Sequence, residues 1–172
     1  HIYSLWLTQP FHEPEFPVLV LIVSGGHTEL LLMTGHGEYE HLGGTIDDAA
    51  GEAFDKVSKM MGLGYPGGPV IETMAKNGDP TKIKFPRSML EKNSFDFSFS
   101  GLKSSVARYL HTHPKMDTAD REDVAAGFQT AVIDVLSEKL IAAARAKNCR
   151  HIGIAGGVSA NQTFVQALTN RA

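Results

Sequence analysis

One cysteine, one tryptophan and no long apolar run mark this chain by what it is short of. A lone Cys149 excludes an internal disulfide and fits a reducing compartment, so a cytoplasmic setting is expected. The longest apolar run, Val18–Val23, falls far short of the roughly 20 residues that cross a bilayer, and no membrane association is expected. The first residues lack the charged-then-apolar order of a secretory leader. Neither sign of charge dominates. Lys and Arg number 16 and Asp and Glu 19, a net charge of −3, which does not favour a whole-domain electrostatic nucleic-acid binder but leaves a local basic patch open. The histidines show no metal spacing: His111 and His113 are two apart and fall on different faces of a helix. A His-Glu-x-x-His helix, which a metalloprotease would want, is absent. There is no internal repeat and no low-complexity segment.

What is there reads as an α/β domain of 172 residues, long enough to bury a real core. Pro10, Pro14 and Pro17 make residues 1–17 a linker, and 18–172 the domain proper. Val18–Val23 predicts a strand buried on both faces. Ser24–His27 turns the chain into a second strand, Thr28–Thr34, and a third near Glu38–Leu42 completes an antiparallel meander. Ala49, Ala53, Phe54, Val57, Met60 and Met61 recur at helical spacing, predicting a helix over Thr45–Gly62 with Asp47 and Asp48 in its first turn. A second helix starts near Pro69 and stops at Asn77-Gly78. The period-two alternation of Phe95–Ser100 predicts a half-buried strand, followed by a helix from Gly101 to about Leu110. A long helix from about Asp120 to Asn148 carries the stripe Val124, Phe128, Val132, Val135, Leu136 and Leu140. Ile152–Ala155 predicts a short buried strand, and Ser159 with Gln162 a capping box for the last helix. A meander followed by crossover units matches one lobe of an actin-like ATPase fold. The last helix shows no C-cap signal, and the chain is expected to be a piece of a longer protein.

Two loops hold glycine doublets where a strand hands over to the next element: Ser24-Gly25-Gly26-His27 and Gly156-Gly157-Val158-Ser159-Ala160-Asn161. Such loops can turn backbone N–H groups toward one anion and cradle a phosphate. The plain alternatives are a tight hairpin and close strand–helix packing, which need glycine without any ligand. Asn161 either faces solvent or reaches a ligand at a helix N-terminus. Asp48, Glu52 and Asp55 give one helix an acidic side. A solvated face is the ordinary reading, but Asp55 could accept ribose hydroxyls, and Glu72, just past Gly67-Gly68, could do the same. Phe95, Phe97 and Phe99 read as core rather than as a base-stacking platform.

Five segments in register resemble one family. They are Val23-Ser24-Gly25-Gly26-His27-Thr28-Glu29, Asp47–Lys56, Gly62-Leu63-Gly64-Tyr65-Pro66-Gly67-Gly68-Pro69, Phe97–Lys103 and Gly156–Asn161. Together they resemble the TsaD family of tRNA threonylcarbamoyladenosine transferases, the bacterial branch most closely, over nearly the whole chain. The resemblance implies an actin/Hsp70-like (ASKHA) fold, here mainly the second lobe and truncated at both ends. It implies an acyltransferase that moves threonylcarbamoyl from threonylcarbamoyl-AMP to N6 of the adenosine 3′ of the anticodon, in tRNAs reading codons that start with A. It implies that Ile22, Val23, Ser24, Gly25 and Gly26 meet the phosphate side of the adenylate, and that Asp55, Gly68, Glu72 and Asn161 hold the nucleoside. It also implies one divalent metal, iron or zinc. His1 matches the second histidine of the family's His-x-x-x-His pattern; the first histidine and a later Asp would lie outside the chain. The fragment alone is therefore expected to be inactive. Partners implied are tRNA, a TsaB-like paralogue and a TsaE-like ATPase. The resemblance points to no general base. The rival readings are a non-catalytic nucleotide-binding paralogue that serves as a dimerisation subunit, or another actin-fold enzyme such as a carbamoyltransferase or sugar kinase, for which fold analogy is weak warrant.

Overall fold

A computed structural model describes residues 15–90 and 94–171. Ten segments follow in order: β1 (Val18–Val23), β2 (Thr28–Gly35), β3 (Glu38–Gly44), α1 (Ala50–Met60), α2 (Gly67–Ala75), α3 (Ser100–Thr112), α4 (Thr118–Ala146), β4 (His151–Ala155), a 3-10 turn (Gly157–Ala160) and α5 (Gln162–Arg171). The sheet order is β3-β2-β1-β4. β1 and β2 pair antiparallel across the Ser24–His27 turn, and β4 lies parallel to β1 on its other side. Parallel pairing with a helical crossover brings the C-terminal ends of β1 and β4 to one edge of the sheet, where ligands of open α/β sheets collect.

β1 is buried on both faces, as its unbroken apolar run requires. Leu19, Leu21 and Val23 face the main core with Leu30 and Leu32 of β2, while Val18 and Val20 join Met33 on the opposite face. The main core is completed by Phe54, Ile71, Phe128, Leu136 and Phe164 from the helices. The stripe Val124, Phe128, Val132, Val135, Leu136 and Leu140 of α4 is buried throughout. Asp117 caps α4, accepting from the Asp120 amide at 2.9 Å while the Asp120 carboxylate accepts from the Asp117 amide.

Four local expectations are corrected. First, α1 begins at Ala50, not Thr45. The Asp47 carboxylate reaches instead to the start of α3, accepting from the Ser98 hydroxyl and from the Phe99 and Ser100 amides. Thr28 of β2 takes the Ala50 amide on its buried hydroxyl at 2.9 Å. Second, Phe95–Ser100 is not a strand. Only a single bridge joins Phe97 to Thr45, although Phe97 and Phe99 are fully buried as the alternation indicates. Third, Ser159 does not cap the last helix. Its hydroxyl donates to the Gly156 carbonyl inside the 3-10 turn, and Asn161 takes the capping role, accepting from the Phe164 amide at 2.9 Å. Fourth, β4 is half-buried rather than buried, with only Ala155 fully covered, because among the described residues it is an edge strand.

Candidate functional site

A cavity of about 420 Å³ opens at the edge where β1 and β4 end. Its walls come from Gly25 after β1, Gly51, Phe54 and Asp55 of α1, Tyr65, Pro66, Gly68, Pro69 and Glu72 across the start of α2, and Gly157, Val158, Ala160 and Asn161 after β4. The two glycine turns therefore share one cleft. Of the residues expected to meet a nucleotide, Gly25, Asp55, Gly68, Glu72 and Asn161 line it. Ile22, Val23, Ser24 and Gly26 do not. Val23 is fully buried in β1, and Ile22 pairs with Glu29 and Ala155 in the sheet. His1 lies outside the described residues.

The glycines divide into two kinds. A Cβ on Gly51 would meet Ser24 and Gly25 backbone atoms at 2.6 Å, and one on Gly67 would meet the Phe54 carbonyl oxygen at 2.5 Å. Gly156 has φ +101°, and a Cβ there would strike the Val23 carbonyl oxygen. Close backbone approach demands glycine at these three positions. Gly25, Gly68 and Gly157 are different. A Cβ on any of them would meet nothing within 4 Å, and none has a left-handed φ. Each faces the cleft, and nothing inside the described chain requires a glycine there.

The polar groups of the cleft are tied into its walls. Asp55 Oδ1 accepts from the Gly67 amide at 2.7 Å, capping α2 across the loop. Glu72 Oε1 accepts from the Gln162 amide at 2.8 Å, so a carboxylate of α2 stands at the N-terminus of α5. Asn161 is 7% exposed. Its Oδ1 caps α5 and its Nδ2 donates to Gln129 Oε1 of α4 at 2.9 Å. In the first turn, Ser24 Oγ accepts from the Gly26 amide at 3.3 Å and the His27 amide at 3.1 Å. Those two N–H groups are thus already engaged within the turn. Behind the cleft, Asp48 pairs with Lys56 and Lys103 at 2.8 and 2.7 Å. Burial pushes the Asp48 carboxyl up, but hydrogen bonds from Lys103 and Lys56 outweigh it and hold the group below the usual carboxylate range. The Lys56 ammonium is correspondingly raised, by its hydrogen bonds to Asp48 and then Glu52.

Sequence reasoning missed Gly51, Phe54, Tyr65, Pro66, Pro69, Val158 and Ala160 as lining residues. Gly51 carried a signal, a glycine inside a helical period where only close packing justifies it. The apolar residues carried none, since nothing in a periodic pattern separates a cleft wall from core. The one metal ligand that the resemblance assigns within the chain, His1, lies outside the described residues. Among the described residues, no group of three or more His, Cys, Asp or Glu side chains could hold an ion.

The α/β core with its cleft at the strand ends has the fold of the actin-like ASKHA ATPases. An activator of 2-hydroxyisocaproyl-CoA dehydratase from Clostridium difficile, solved with bound ADPNP, matches with a TM-score of 0.54 at 18% identity, over 91% of this chain and 52% of that one. Within that fold the chain belongs to the TsaD family: the model for tRNA N6-adenosine threonylcarbamoyltransferase matches residues 1–172. A curated relative of that name from Desulforapulum autotrophicum is 57% identical over 162 residues, covering 94% of this chain and 48% of the relative. Another from Halalkalibacterium halodurans is 53% identical over 169 residues, covering 98% and 48%. The chain spans about half the length of the curated relatives it matches.

Proposed function

We propose that this chain supplies the adenylate-binding wall of a tRNA N6-adenosine threonylcarbamoyltransferase. The observation that carries the reading is the set of three cleft glycines, Gly25, Gly68 and Gly157, which nothing within the described chain requires. Glycine with open space before it lets a ligand approach the backbone closely. The family supplies the ligand class, and the dehydratase activator with bound ADPNP is a nucleotide complex of the same fold.

In this reading the ligand is threonylcarbamoyl-AMP. Its phosphate side lies toward the β1 end, where Gly25, out of the expected stretch Ile22, Val23, Ser24, Gly25 and Gly26, makes the close approach. Its nucleoside lies against Gly68 and Asn161, with Asp55 and Glu72 each offering the carboxylate oxygen not used in capping to a ribose hydroxyl. The mixed anhydride is already activated. The adenosine N6 attacks the carbamoyl carbon, the bond from that carbon to the phosphate oxygen breaks, AMP leaves and N6 gives up a proton. The chain's part is to orient the anhydride, because fixed geometry removes entropy from the barrier, and to stabilise the departing phosphate. A target adenosine in a loop can be splayed out for recognition.

The same reading includes an iron or zinc ion with His1 among its ligands, tRNA as substrate, a TsaB-like paralogue and a TsaE-like ATPase as partners, and a cytoplasmic setting. No helix of the described residues is long and apolar enough to cross a membrane. The test is a full-length graft in which residues 1–172 replace the matching half of the Desulforapulum relative. Given threonylcarbamoyl-AMP and partner subunits, the graft should modify tRNA, and the Gly157→Ala graft should do so at least about tenfold less well. A graft that takes up metal and folds but leaves tRNA unmodified would contradict the reading.

A further inference from the structure

Between Val124 and Leu136 the buried positions of α4 are apolar except at Gln129. Gln129 is 4% exposed and stands beside Phe128, which is fully buried. A buried amide costs stability unless its donor and acceptor are both satisfied. Here both find partners on one short segment: Oε1 accepts from Asn161 Nδ2 at 2.9 Å, and Nε2 lies 3.5 Å from Thr163 Oγ1.

The polarity of this chain of bonds is fixed from one end. The Phe164 amide can only donate, so Asn161 must present its oxygen to it. That turns Asn161 Nδ2 toward α4, where it needs an acceptor. Gln129 then has to present Oε1 and point its own Nε2 at Thr163. A backbone N–H in α5 therefore orients two side-chain amides in sequence, a direction that geometry alone would leave open.

The consequence reaches the cleft. Asn161 closes the 3-10 turn at Gly157–Ala160, and Gly157, Val158, Ala160 and Asn161 all line the cavity. Among the described residues β4 is a half-buried edge strand, so the turn that follows it gains little support from the sheet. We infer that Gln129 is a positioning residue: by accepting from Asn161 it sets the orientation of that side chain, and through it the Gly157–Asn161 wall of the cleft. This rests on the reading of the cleft as an adenine-nucleotide site. The role is indirect, since Gln129 does not itself line the cavity.

The experiment is side-chain and backbone amide NMR of the full-length graft of residues 1–172 into the Desulforapulum relative, with Gln129 and with Gln129→Leu, titrated with AMP into the millimolar range. In Gln129→Leu the Asn161 side-chain amide and the Gly157–Asn161 backbone amides should shift without AMP, and the dissociation constant for AMP should rise about fivefold to tenfold, the scale of one lost hydrogen bond. Adding Gln129→Leu to Asn161→Ala should cost no further affinity, because the effect runs through Asn161; independent roles would multiply. Should Gln129→Leu fail to give a folded spectrum, Gln129→Glu keeps the acceptor and should hold the Asn161 amide near its wild-type position. Unmoved Asn161 and Gly157–Asn161 signals in Gln129→Leu, a displaced Asn161 amide in a folded Gln129→Glu, or multiplying effects in the double variant would each overturn the inference. A full-length graft with Gln129 in place that ignores AMP would instead remove the nucleotide reading, while the amide shifts still decide the positioning role.

Discussion

The Ser24–His27 turn and the Gly156–Ala160 turn stand side by side at the sheet edge, and each carries a glycine doublet. They use it differently. The first turn is self-contained: Ser24 Oγ gathers the Gly26 and His27 amides, and both glycines look onto open space. The second is wedged: Gly156 is held at φ +101° against the Val23 carbonyl, Ser159 clamps back onto Gly156, and Asn161 ties the turn to α4 and α5. Only Gly157 faces the cleft from that doublet. The Gly67-Gly68 doublet repeats the split, one member against α1 backbone and the other open. In the second and third doublets, then, one residue lets backbone segments meet and its neighbour opens onto the cleft.

Substitution should separate the two demands. The largest effect is expected at Gly156→Ala, which imposes a strained φ and an overlap with Val23; chemical denaturation should show a loss of about 3 kcal/mol or more. Next come the groups that cap helices and face the cleft. Asp55→Ala and Asn161→Ala should each weaken adenylate binding in the full-length graft by roughly 1–3 kcal/mol, read by calorimetry. Wild-type affinity in both would remove them from the nucleoside side. Gly68→Ala and Gly157→Ala should change stability by less than about 1 kcal/mol, since the space is open. Nucleotide affinity should nevertheless fall about tenfold, roughly 1.4 kcal/mol. Equal affinity there, or a large stability loss, would erase the distinction between the two kinds of glycine.

The smallest effect concerns Asp48, which stands behind the cleft rather than in it. Its carboxyl is held below its ordinary value in the folded protein, so it binds its proton less readily there than in the unfolded chain. Its contribution is present above the unfolded value of 3.8 and fades as the pH drops through the lower folded one. Asp48→Asn should destabilise the chain by about 1 kcal/mol at pH 7, given the partly exposed lysines it pairs with. The gap to wild type should close progressively below pH 4. A gap that stays constant from pH 7 to pH 3 would mean that Asp48 matters by shape rather than charge.

How much of this was legible in the sequence follows the range of the forces involved. β1, β2 and the stripe of α4 were readable because one local pattern decides them. The start of α1 was not, because Asp47 bonds to residues some 50 positions away, and no local rule separates that from a first-turn carboxylate. The cap of α5 was misread for a related reason: Ser159 satisfies the cap pattern but spends its hydroxyl inside a 3-10 turn. In the site, the motif resemblance picked out Gly25, Asp55, Gly68, Glu72 and Asn161, which line the cavity, together with Ile22, Val23, Ser24 and Gly26, which do not. It could not say that Asn161 leans on Gln129, since 32 residues and a helix crossing separate them.

In the proposed reading the open glycines of the cleft, Gly25, Gly68 and Gly157, face an adenine nucleotide. A crystal structure of the protein grown with AMP tests it most directly. The account predicts the adenosine against Gly68 and Gly157, with ribose hydroxyls within hydrogen-bond distance of Asp55 or Glu72 and the phosphate beside Gly25. AMP bound elsewhere, or a cleft whose glycines are covered by the protein's own chain, would contradict it.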